Sequence, residues 1–530
     1  MPVPISAGDR RPLEFPARIQ FRQPSIDVGK MEKIKLLYAR NLITRKTGQQ
    51  DLSFLMLVEN VAFDKIIDVA WAGEDGVWHT LPATYHSTID GSKEYWIART
   101  ACALVPDETL PGNVEFALRY RVGGDEYWDN DHGQNYSIQA DSGIVVADER
   151  PLLHIRFERG LADGQSVLPI VVAARRELQA RSVTVHWSVD GWKTTHRTSC
   201  RFRRNYWDSE FLSNARNPNQ YGCQIWATAL KVDDAWRVQY RISCETRQQV
   251  LWDDNYGNGY AIQRWPLKVL ILNLHCCQEE DQDFKLSQIA KAIEALEVDI
   301  VCLQEVAELW NNGHGNWQTN TARIINERLG SPYHLVTDWS HLGFDRYREG
   351  VAVLSRYPIL QHRAKYVSSS QDPYCIHSRK VVMARIRVPY FGLLNVFSSH
   401  LSWWEDGFAE QFRNLRRWAT AEHDELSAAT MLCGDFNIKA GSKGYQLVVE
   451  SKEYQDQYLS ANSPKVFQQI FELGAAAWEH ELDDDHRIDY IFLRKGSKLR
   501  VTSGRTVFTD QDYGRVSDHF GYLMSFEPGA

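Results

Sequence analysis

Polar residues recur at the ends of apolar segments in the second half of the chain. Asn273 ends LKVLILN, Glu305 follows IVCLQ, and His400 follows NVFSS. The other members of this set are Asp435, Asn437, Asp489, Asp518 and His519. A single such residue is usually a turn or structural residue. Several together favour one shared site, because α/β folds bind ligands at the carboxyl ends of their strands.

The oxygen-bearing members of the set suit a hard metal ion. Glu305, Asn273 and Asp518 offer carboxylate and amide oxygens, and no cluster of Cys and His accompanies them. Oxygen ligands favour Mg²⁺, or Mn²⁺, over zinc. The sequence therefore predicts a metal site formed by these three residues.

The remaining members suit hydrolysis of a phosphate ester. His519 is the candidate acid–base group, and Asp489 is the carboxylate that would fix its tautomer. Asp435 would position or deprotonate a water, while Asn437 and His400 would donate hydrogen bonds to phosphate oxygens. No Ser, Cys or Lys has an adjacent base in a motif, so the sequence favours direct attack by water over a covalent intermediate.

The segments that position these residues alternate between strands and helices. LKVLILNL (267–274) and DIVCLQEV (299–306) are near-continuous apolar runs, which are typical of strands covered on both faces. FKLSQIAKAIEALE (284–297) has apolar residues at helical spacing, and a further helix is predicted between 407 and 426. Residues 265–530 are therefore predicted to form one large α/β layered domain.

The first half of the chain contains an internal repeat. WDNDHGQNYSI (128–138) returns as WDDNYGNGYAI (252–262), and VAWAGEDGVWHT (69–80) corresponds to VHWSVDGWKTT (185–195). Short alternating segments rich in Val, Tyr and Trp, with Gly and Asp turns, are typical of β-sandwiches. We predict a tail over residues 1–20 and two all-β sandwich modules over residues 21–145 and 146–264.

Composition restricts the class of protein. A net charge of -8 disfavours a nucleic-acid partner, and no apolar run is long enough to span a membrane. The start has no apolar segment typical of a signal peptide, and the nine cysteines include no CxxC pair. These features favour a cytoplasmic protein, and they leave open whether it forms a homodimer.

Six ordered motifs in the α/β region resemble the endonuclease/exonuclease/phosphatase superfamily. They are LQEV (303–306), GVAVLSR (350–356), SSHL (398–401), GDFN (434–437), RIDYIF (487–492) and SDHFG (517–521). The resemblance implies a four-layer α/β sandwich and Mg²⁺-dependent hydrolysis of a phosphate ester. It makes Glu305 the main metal ligand beside Asn273, and it pairs Asp489 with His519. Many nucleases have an acidic residue where this chain has His275, which puts metal ligation from that strand in doubt.

The repeated modules resemble the starch- and glycogen-binding modules of carbohydrate-binding family 21. The resemblance is carried by WKT (192–194) and by YWDNDHGQNY (127–136). It implies that Trp78 and Trp192 stack on glucose rings and that Asn130 and Asn135 bind sugar hydroxyls, which suits an α-glucan partner. The second copy has Asp254 and Gly259 at the latter positions. The alternative is that the tryptophans are core residues and that the WDN…Y pattern is a structural corner, so that the copies serve packing or dimerisation.

Two adjacent tryptophans bear on the substrate. In SHLSWWEDGF (399–408), Trp403 and Trp404 follow His400 closely, and either could stack on a hexose or belong to the core. The His-x-x-Trp-Trp pattern is similar to that of the maltose 6'-phosphate phosphatases of the superfamily. We therefore expect a phosphatase of maltose 6'-phosphate or a related phosphorylated α-glucoside. The alternatives are a phosphodiesterase, either nuclease or sphingomyelinase-like, and an inactive glycogen-binding scaffold.

Overall fold

The computed structural model describes residues 33–529 except 45–46, 104–109, 157, 159, 205, 207–222, 312, 474–481 and 483–484. The chain divides into two compact units, residues 1–263 and residues 264–530. The predicted tail, residues 1–20, lies outside the described residues. Within the described ranges, no helix is long and apolar enough to cross a membrane.

The first part of the N-terminal unit is built from antiparallel strands. They are β1 (Ile34–Ile43), β2 (Gln50–Glu59), β3 (Lys65–Ala72), β4 (Trp78–Pro82), β5 (Thr84–Asp90), β6 (Lys93–Cys102), β7 (Val114–Val122), β8 (Asp125–Asp129), β9 (Tyr136–Ile138) and β10 (Gly143–Val146). One sheet has the order β10-β1-β2-β6-β5, and the other has the order β4-β3-β7-β8 with β9 also paired with β7. Alternate residues of β7 are buried, and the ring of Phe116 lies 4.7 Å from that of Phe54 in the facing sheet. The two sheets therefore share one apolar core.

The second part of this unit repeats the strand order of the first. Its strands are β11 (Leu152–His154), β12 (Val167–Arg175), β13 (Ser182–Ser188), β14 (His196–Ser199), β15 (Arg201–Phe202), β16 (Cys223–Lys231), β17 (Arg237–Glu245), β18 (Val250–Asp253) and β19 (Tyr260–Gln263). One sheet has the order β14-β13-β17-β18 with β19 also paired with β17, and the other has the order β11-β12-β16-β15. The first of these orders corresponds strand for strand to β4-β3-β7-β8 with β9.

The WD…Y pattern forms a structural corner in both parts. Asp129 accepts hydrogen bonds from the hydroxyl of Tyr136 and from the backbone amide of Leu36, each at 2.7 Å. Asp253 in turn accepts one from the hydroxyl of Tyr260 at 2.8 Å and one from a backbone amide of β11. These Asp and Tyr side chains join the two sheets of each part, as the structural alternative predicts.

The loop of residues 254–259 contacts the first part of the unit. The buried hydroxyl of Tyr95 donates to Oδ1 of Asn255 at 2.7 Å, and the ammonium of Lys93 lies 5.2 Å from the ring centroid of Tyr256. This loop occupies the position at which the first part has Asn130 and Asn135. In the second part, the corresponding segment therefore has a packing role.

The C-terminal unit consists of two sheets and their helices. The helices are α1 (Gln282–Ala295), α2 (Thr321–Glu327), α3 (Phe408–Glu422), α4 (Lys443–Glu450), α5 (Gln457–Asn462) and α6 (Pro464–Phe467). The strands are β20 (Leu267–Asn273), β21 (Ile300–Asn311), β22 (His314–Gly315), β23 (His334–Gly343), β24 (Tyr347–Ser355), β25 (Ile359–Tyr366), β26 (Lys380–Val388), β27 (Gly392–His400), β28 (Ser427–Asp435), β29 (Tyr454–Asp456), β30 (Asp489–Arg494), β31 (Leu499–Val507) and β32 (Gly521–Pro528). The sheet orders are β23-β24-β21-β20-β32-β31, with β22 on β21, and β25-β26-β27-β28-β30-β29.

Helices pack on each sheet through their apolar faces. Leu286 and Ile289 of α1 pack with Leu270 of β20, and Phe412 of α3 packs with Phe397 of β27. The predicted helix over 284–297 is confirmed with its bounds shifted by two residues, because the apolar spacing fixes the face but not the ends. These contacts fix the positions of the central strands, which end at the predicted polar residues.

The central strands of both sheets run parallel to a neighbour. β20 pairs with β21 and β27 pairs with β28 in parallel, whereas β28 and β30 pair antiparallel. In this register His400 lies opposite Asp435, and Asp435 lies opposite Asp489. Nε2 of Gln304 donates to Oγ of Ser398 at 3.2 Å and so joins the two sheets below these ends. The strand register therefore brings the predicted polar residues to one edge.

Candidate active site

Two backbone irregularities direct side chains into the site. Glu305 has a φ of 50°, and the pairing of β21 with β24 shifts its register between Leu303 and Val306. Asn437, two residues after Asp435, has a φ of 51°. Left-handed backbone is uncommon for residues other than glycine, and it is often found where a functional side chain is held in place. The β-bulge turns Glu305 out of the regular alternation of its strand.

Asp435 lies at the centre of the site and is buried. It accepts hydrogen bonds from Nδ2 of Asn273 at 3.0 Å and from the backbone amide of Asn437 at 2.8 Å. The Nε2 atoms of His400 and His519 each lie 3.8 Å from its Oδ2. Burial, followed by the charge of Asp489, raises the pKa of Asp435 to about 7. This carboxyl can therefore exchange a proton near neutral pH.

His519 and Asp489 form a direct pair. Nδ1 of His519 donates to Oδ2 of Asp489 at 2.8 Å, which leaves Nε2 toward Asp435. Burial lowers the pKa of His519, but the hydrogen bond and charge of Asp489 outweigh it and raise the pKa to about 9. His519 is therefore protonated at neutral pH and can donate a proton.

His400 is surrounded by residues that the sequence reasoning missed. Nη1 of Arg379 lies 3.1 Å from Nδ1 of His400, and Oε1 of Glu349 lies 3.6 Å from the same nitrogen. His341 contacts Glu349 in turn, with 3.5 Å between Nε2 and Oε1. Burial, and then the charge of Arg379, holds the pKa of His400 well below its usual range. In the sequence, these two residues could have been suspected only from their positions, because Glu349 and Arg379 each stand directly beside an apolar strand segment.

The amide groups of Asn273 and Asn437 both form hydrogen bonds within the site. Nδ2 of Asn273 donates to Oε1 of Glu305 at 2.8 Å, while its Oδ1 accepts from the backbone amide of His275. Asn273 thus presents hydrogens, not an oxygen ligand, to the carboxylates. Nδ2 of Asn437 donates to the backbone oxygen of Leu401 at 2.9 Å, so one of its amide hydrogens is engaged by the backbone.

Asp518 belongs to a neighbouring cluster at the rim. Its Oδ1 lies 3.6 Å from Nδ1 of His275, and that nitrogen is 2.6 Å from Oε1 of Glu279. Lys285 already forms an ion pair with Glu279 at 2.6 Å. The structure therefore groups Asp518 with His275 and Glu279, whereas Glu305 is grouped with the central residues.

The central group fits a divalent cation by the chemistry of its donors. One ligand atom each from Glu305, His400 and Asp435 lies within 4.8 Å of the others. Burial, followed by the charge of Glu349, raises the pKa of Glu305 to about 7. A buried and a partly buried carboxylate held together by one neutral amide are the setting that a hard cation stabilises. Glu305 and Asp435 are the residues that would hold it.

The two tryptophans after His400 have different surroundings. Trp404 is partly buried and packs against the core beneath α3, with its ring centroid 6.3 Å from that of Phe408. Trp403 is 51% exposed. Just before Trp403, the backbone amide of Ser402 donates to Oε1 of Gln411, and Nε2 of Gln411 donates to Oγ of Ser402, each at 2.9 Å. Of the two indoles, Trp403 is therefore the more exposed.

The predicted sugar-binding residues of the first module lie near one end of its sheet. Trp78 is 37% exposed and lies opposite Ala72, which lies opposite Glu115 on the next strand. Nδ2 of Asn135 donates to the carboxylate of Glu115 at 2.7 Å, and Oδ1 of Asn130 accepts from a backbone amide of its own turn. The indole of Trp78 on β4 and the amide of Asn135 beside β7 are thus separated by strand β3.

Trp192 lies in a tight turn between β13 and β14, in the second part of the N-terminal unit. Its φ is 68°, and its backbone amide donates to Oγ of Ser188 at 2.9 Å. The guanidinium of Arg241 lies 5.5 Å from its ring centroid. One face of this indole is therefore occupied by a cation from the module itself.

Residues 270–519 match the Endonuclease/Exonuclease/phosphatase family, and this part of the chain belongs to that family. Residues 33–139 match the carbohydrate/starch-binding module of family 21. The chain is therefore a hydrolase of the endonuclease/exonuclease/phosphatase superfamily that carries a carbohydrate-binding module. Enzymes of this superfamily generally depend on a divalent metal ion, which agrees with the acidic cluster described above.

Several curated relatives each match a part of the chain. The Uncharacterized protein YbhP of Escherichia coli (strain K12) is 30% identical over 199 residues, which are 36% of this chain and 74% of the relative. Glucoamylase 1 of Rhizopus oryzae is 31% identical over 86 residues, 15% of this chain and 13% of the relative. Protein phosphatase 1 regulatory subunit 3E of Mus musculus is 34% identical over 103 residues, 18% of this chain and 35% of the relative.

Solved structures similar to this chain cover about half of it. An endonuclease/exonuclease/phosphatase family protein from Leptotrichia buccalis C-1013-b is 26% identical with a TM-score of 0.41, covering 49% of this chain and 99% of its own. A mannosyl-6-phosphatase from Bacteroides thetaiotaomicron VPI-5482 is 14% identical with a TM-score of 0.35, covering 49% and 99% respectively.

Proposed function

We propose that the chain is a Mg²⁺-dependent phosphatase that hydrolyses a phosphorylated α-glucoside to free sugar and phosphate. The observation that carries this proposal is the position of Asp435 between His400 and His519, beside Glu305. The match of the same chain to a starch-binding module supports a carbohydrate substrate. Maltose 6'-phosphate is the leading substrate, and phosphorylated maltooligosaccharide or glycogen comes next.

The side chains divide the work of proton transfer between them. Asp435 orients the attacking water and takes its proton. His519, with a pKa raised to about 9, gives a proton to the leaving sugar oxygen, and Asp489 holds its ring in place.

Side-chain donors hold the phosphoryl group. His400 donates to a phosphoryl oxygen, and Asn437 does so with the amide hydrogen that Leu401 does not engage. When bound between Glu305 and Asp435, a divalent cation would neutralise charge on the phosphoryl oxygens and activate water. Asn273 keeps these two carboxylates close together, because its Nδ2 donates a hydrogen bond to each of them.

The sugar part of the substrate is contacted by Trp403. This indole is exposed and lies three residues beyond His400, whereas Trp404 is packed on the core. The apolar face of a glucose ring packs well on an exposed indole. Trp403 is therefore the better candidate for selecting a sugar as the leaving group.

The N-terminal modules, residues 21–145 and 146–264, bring the enzyme to α-glucan. In the first module Trp78 stacks on a glucose ring, and Asn130 and Asn135 bind its hydroxyls. The second module is a degenerate copy, because its loop 254–259 packs against the first. Residues 265–530 form the catalytic domain.

Phosphate release by the purified full chain tests this proposal. The substrates are maltose 6'-phosphate, glucose 6-phosphate and glycerol phosphate, with bis(p-nitrophenyl) phosphate, sphingomyelin vesicles and plasmid DNA as diesters. We expect release from the phosphorylated α-glucosides that requires Mg²⁺ and stops with EDTA. Cleavage of a diester without release from any sugar phosphate would overturn the choice of substrate.

A further inference from the structure

We infer that Arg379 is a positioning residue that fixes the hydrogen of neutral His400 on Nε2, so that this imidazole enters the site as a hydrogen-bond donor. The inference rests on the proposed function, because it concerns how His400 handles the phosphoryl group. It starts from the side chain of Arg379, which is only 9% exposed. A buried guanidinium needs specific partners, and those partners reveal its role.

The position of Arg379 is fixed by its neighbours. Its backbone amide donates to Oγ of Ser368 at 2.8 Å, directly before β26 begins. Its Nε lies 3.4 Å from Oγ of Ser402, which also accepts from Nε2 of Gln411 at 2.9 Å. Since Gln411 belongs to α3, the contact with Ser402 links the guanidinium to the segment after β27 and, through that serine, to α3.

The contact with His400 determines the tautomer of the ring. Nη1 of Arg379 lies 3.1 Å from Nδ1 of His400. A guanidinium carries only donors, so Nδ1 must be the acceptor in this contact. In a neutral imidazole the single hydrogen then resides on Nε2.

Glu349 is the group that would favour the opposite tautomer. Its Oε1 lies 3.6 Å from Nδ1 of His400, which is longer than a hydrogen bond. The same oxygen lies 3.8 Å from Nη1 of Arg379 and 3.5 Å from Nε2 of His341. Glu349 therefore balances the positive charge of Arg379, while the guanidinium keeps the nearer contact with the ring.

The consequence lies on the other side of the ring. Nε2 of His400 is 3.8 Å from Oδ2 of Asp435, at the centre of the site. With its hydrogen there, His400 donates to a phosphoryl oxygen and cannot accept a proton from water at that atom. The proton of the attacking water is thereby left to Asp435, and the two residues cannot exchange roles.

Nuclear magnetic resonance of the full chain, labelled with ¹⁵N and ¹³C at histidine and deuterated elsewhere, tests the inference without substrate. Ring signals of His400 are assigned by their loss in His400→Asn. We expect the Nε2–H tautomer in the unsubstituted chain and a shift toward the Nδ1–H tautomer in Arg379→Met. Arg379→Lys keeps a donor and should retain the original tautomer in part. Arg387→Met, an exposed arginine on β26, is the control and should change nothing.

Two results would overturn the inference. One is an Nδ1–H tautomer for His400 in the unsubstituted chain, which decides the question even if Arg379→Met does not fold. The other is an unchanged tautomer in folded Arg379→Met. Where a substrate is turned over, kcat of Arg379→Met should fall roughly 10–100-fold with a smaller change in KM. A chain that turns over no sugar phosphate but shows the predicted tautomer would refute the proposed function and leave the role of Arg379 intact.

Discussion

His400 and His519 approach the same carboxylate oxygen from two directions, each with Nε2 at 3.8 Å from Oδ2 of Asp435. Their partners at Nδ1 differ in charge, since His519 faces the carboxylate of Asp489 and His400 faces the guanidinium of Arg379. Two imidazoles in equivalent positions thus acquire opposite tendencies to hold a proton. This difference underlies the predictions that follow.

Removing the imidazole of His519 should abolish most of the catalysis. We expect His519→Gln to lower kcat by roughly 10²- to 10⁴-fold, the usual contribution of a general acid. Circular dichroism should show an unchanged fold, because His519 lies in the loop before β32. His362→Gln, exposed on β25, serves as the matched control and should keep full activity. Near-normal turnover by His519→Gln would exclude this residue as the acid.

The alkaline limb of the pH profile should report His519. Only the protonated ring can act as the acid, so kcat should fall as the pH rises through about 9. In Asp489→Asn the charge that raises the pKa of His519 is gone, so the same limb should move to lower pH. Asp510→Asn, an exposed acid in the loop before β32, should leave the profile in place. A limb that does not move in Asp489→Asn would assign it to another group.

The two tryptophans after His400 should respond to substitution in different ways. Trp403→Ala should reduce kcat/KM for maltose 6'-phosphate while sparing p-nitrophenyl phosphate, and its melting temperature should stay unchanged. Trp404→Ala should instead lower the free energy of unfolding by about 2 kcal/mol, because a partly buried aromatic side chain leaves the core. Equal losses on both esters in Trp403→Ala would show that this indole does not contact the sugar.

Glycogen binding should depend on the first module. We expect Trp78→Ala to reduce co-sedimentation of the full chain with glycogen, because the indole offers the stacking face. Phe63→Ala provides a matched control. This side chain is 96% exposed, but it lies before the first residue of β3, whereas Trp78 lies opposite the last. Undiminished binding by Trp78→Ala would move the glucan site elsewhere.

The packing of the loop 254–259 should contribute to the stability of the N-terminal unit. Asn255→Ala removes one hydrogen bond of the buried hydroxyl of Tyr95, and the loss of such a bond costs about 0.5–1.5 kcal/mol. Thermal unfolding of the full chain should show the loss in this unit, whereas Asn258→Ala should have little effect. A loss of the same size in both variants would argue against a specific role for Asn255.

The sequence predicted the residues of the site better than their orientation. Asp489 and His519 were paired because both stand in specific motifs, and the structure brings them to 2.8 Å. The amide of Asn273 could not be oriented in advance, because its direction depends on Glu305 and Asp435 from other strands. Arg379 was missed because a charged residue before a strand has no local pattern that separates it from a surface residue.

Long-range packing also separates residues that look alike in the sequence. Trp403 and Trp404 are identical neighbours, and only the contact of Trp404 with the core beneath α3 distinguishes them. The repeat aligns Asp254 and Gly259 with the sugar-binding positions of the first copy. It does not indicate that the loop between them contacts Tyr95, which lies far away in the sequence. Its bond to Asn255 therefore became visible only in the folded unit.

The most direct test of the account compares the rates at which the chain hydrolyses a sugar phosphate monoester and a phosphodiester under the same conditions. The full chain with Mg²⁺ is given maltose 6'-phosphate and bis(p-nitrophenyl) phosphate, and kcat/KM is measured for each, with Asp435→Asn as the inactive reference. We predict at least a 100-fold preference for the sugar monoester, lost together with the metal. Preferred cleavage of the diester, or no release of phosphate from the sugar above the Asp435→Asn reference, would contradict the account.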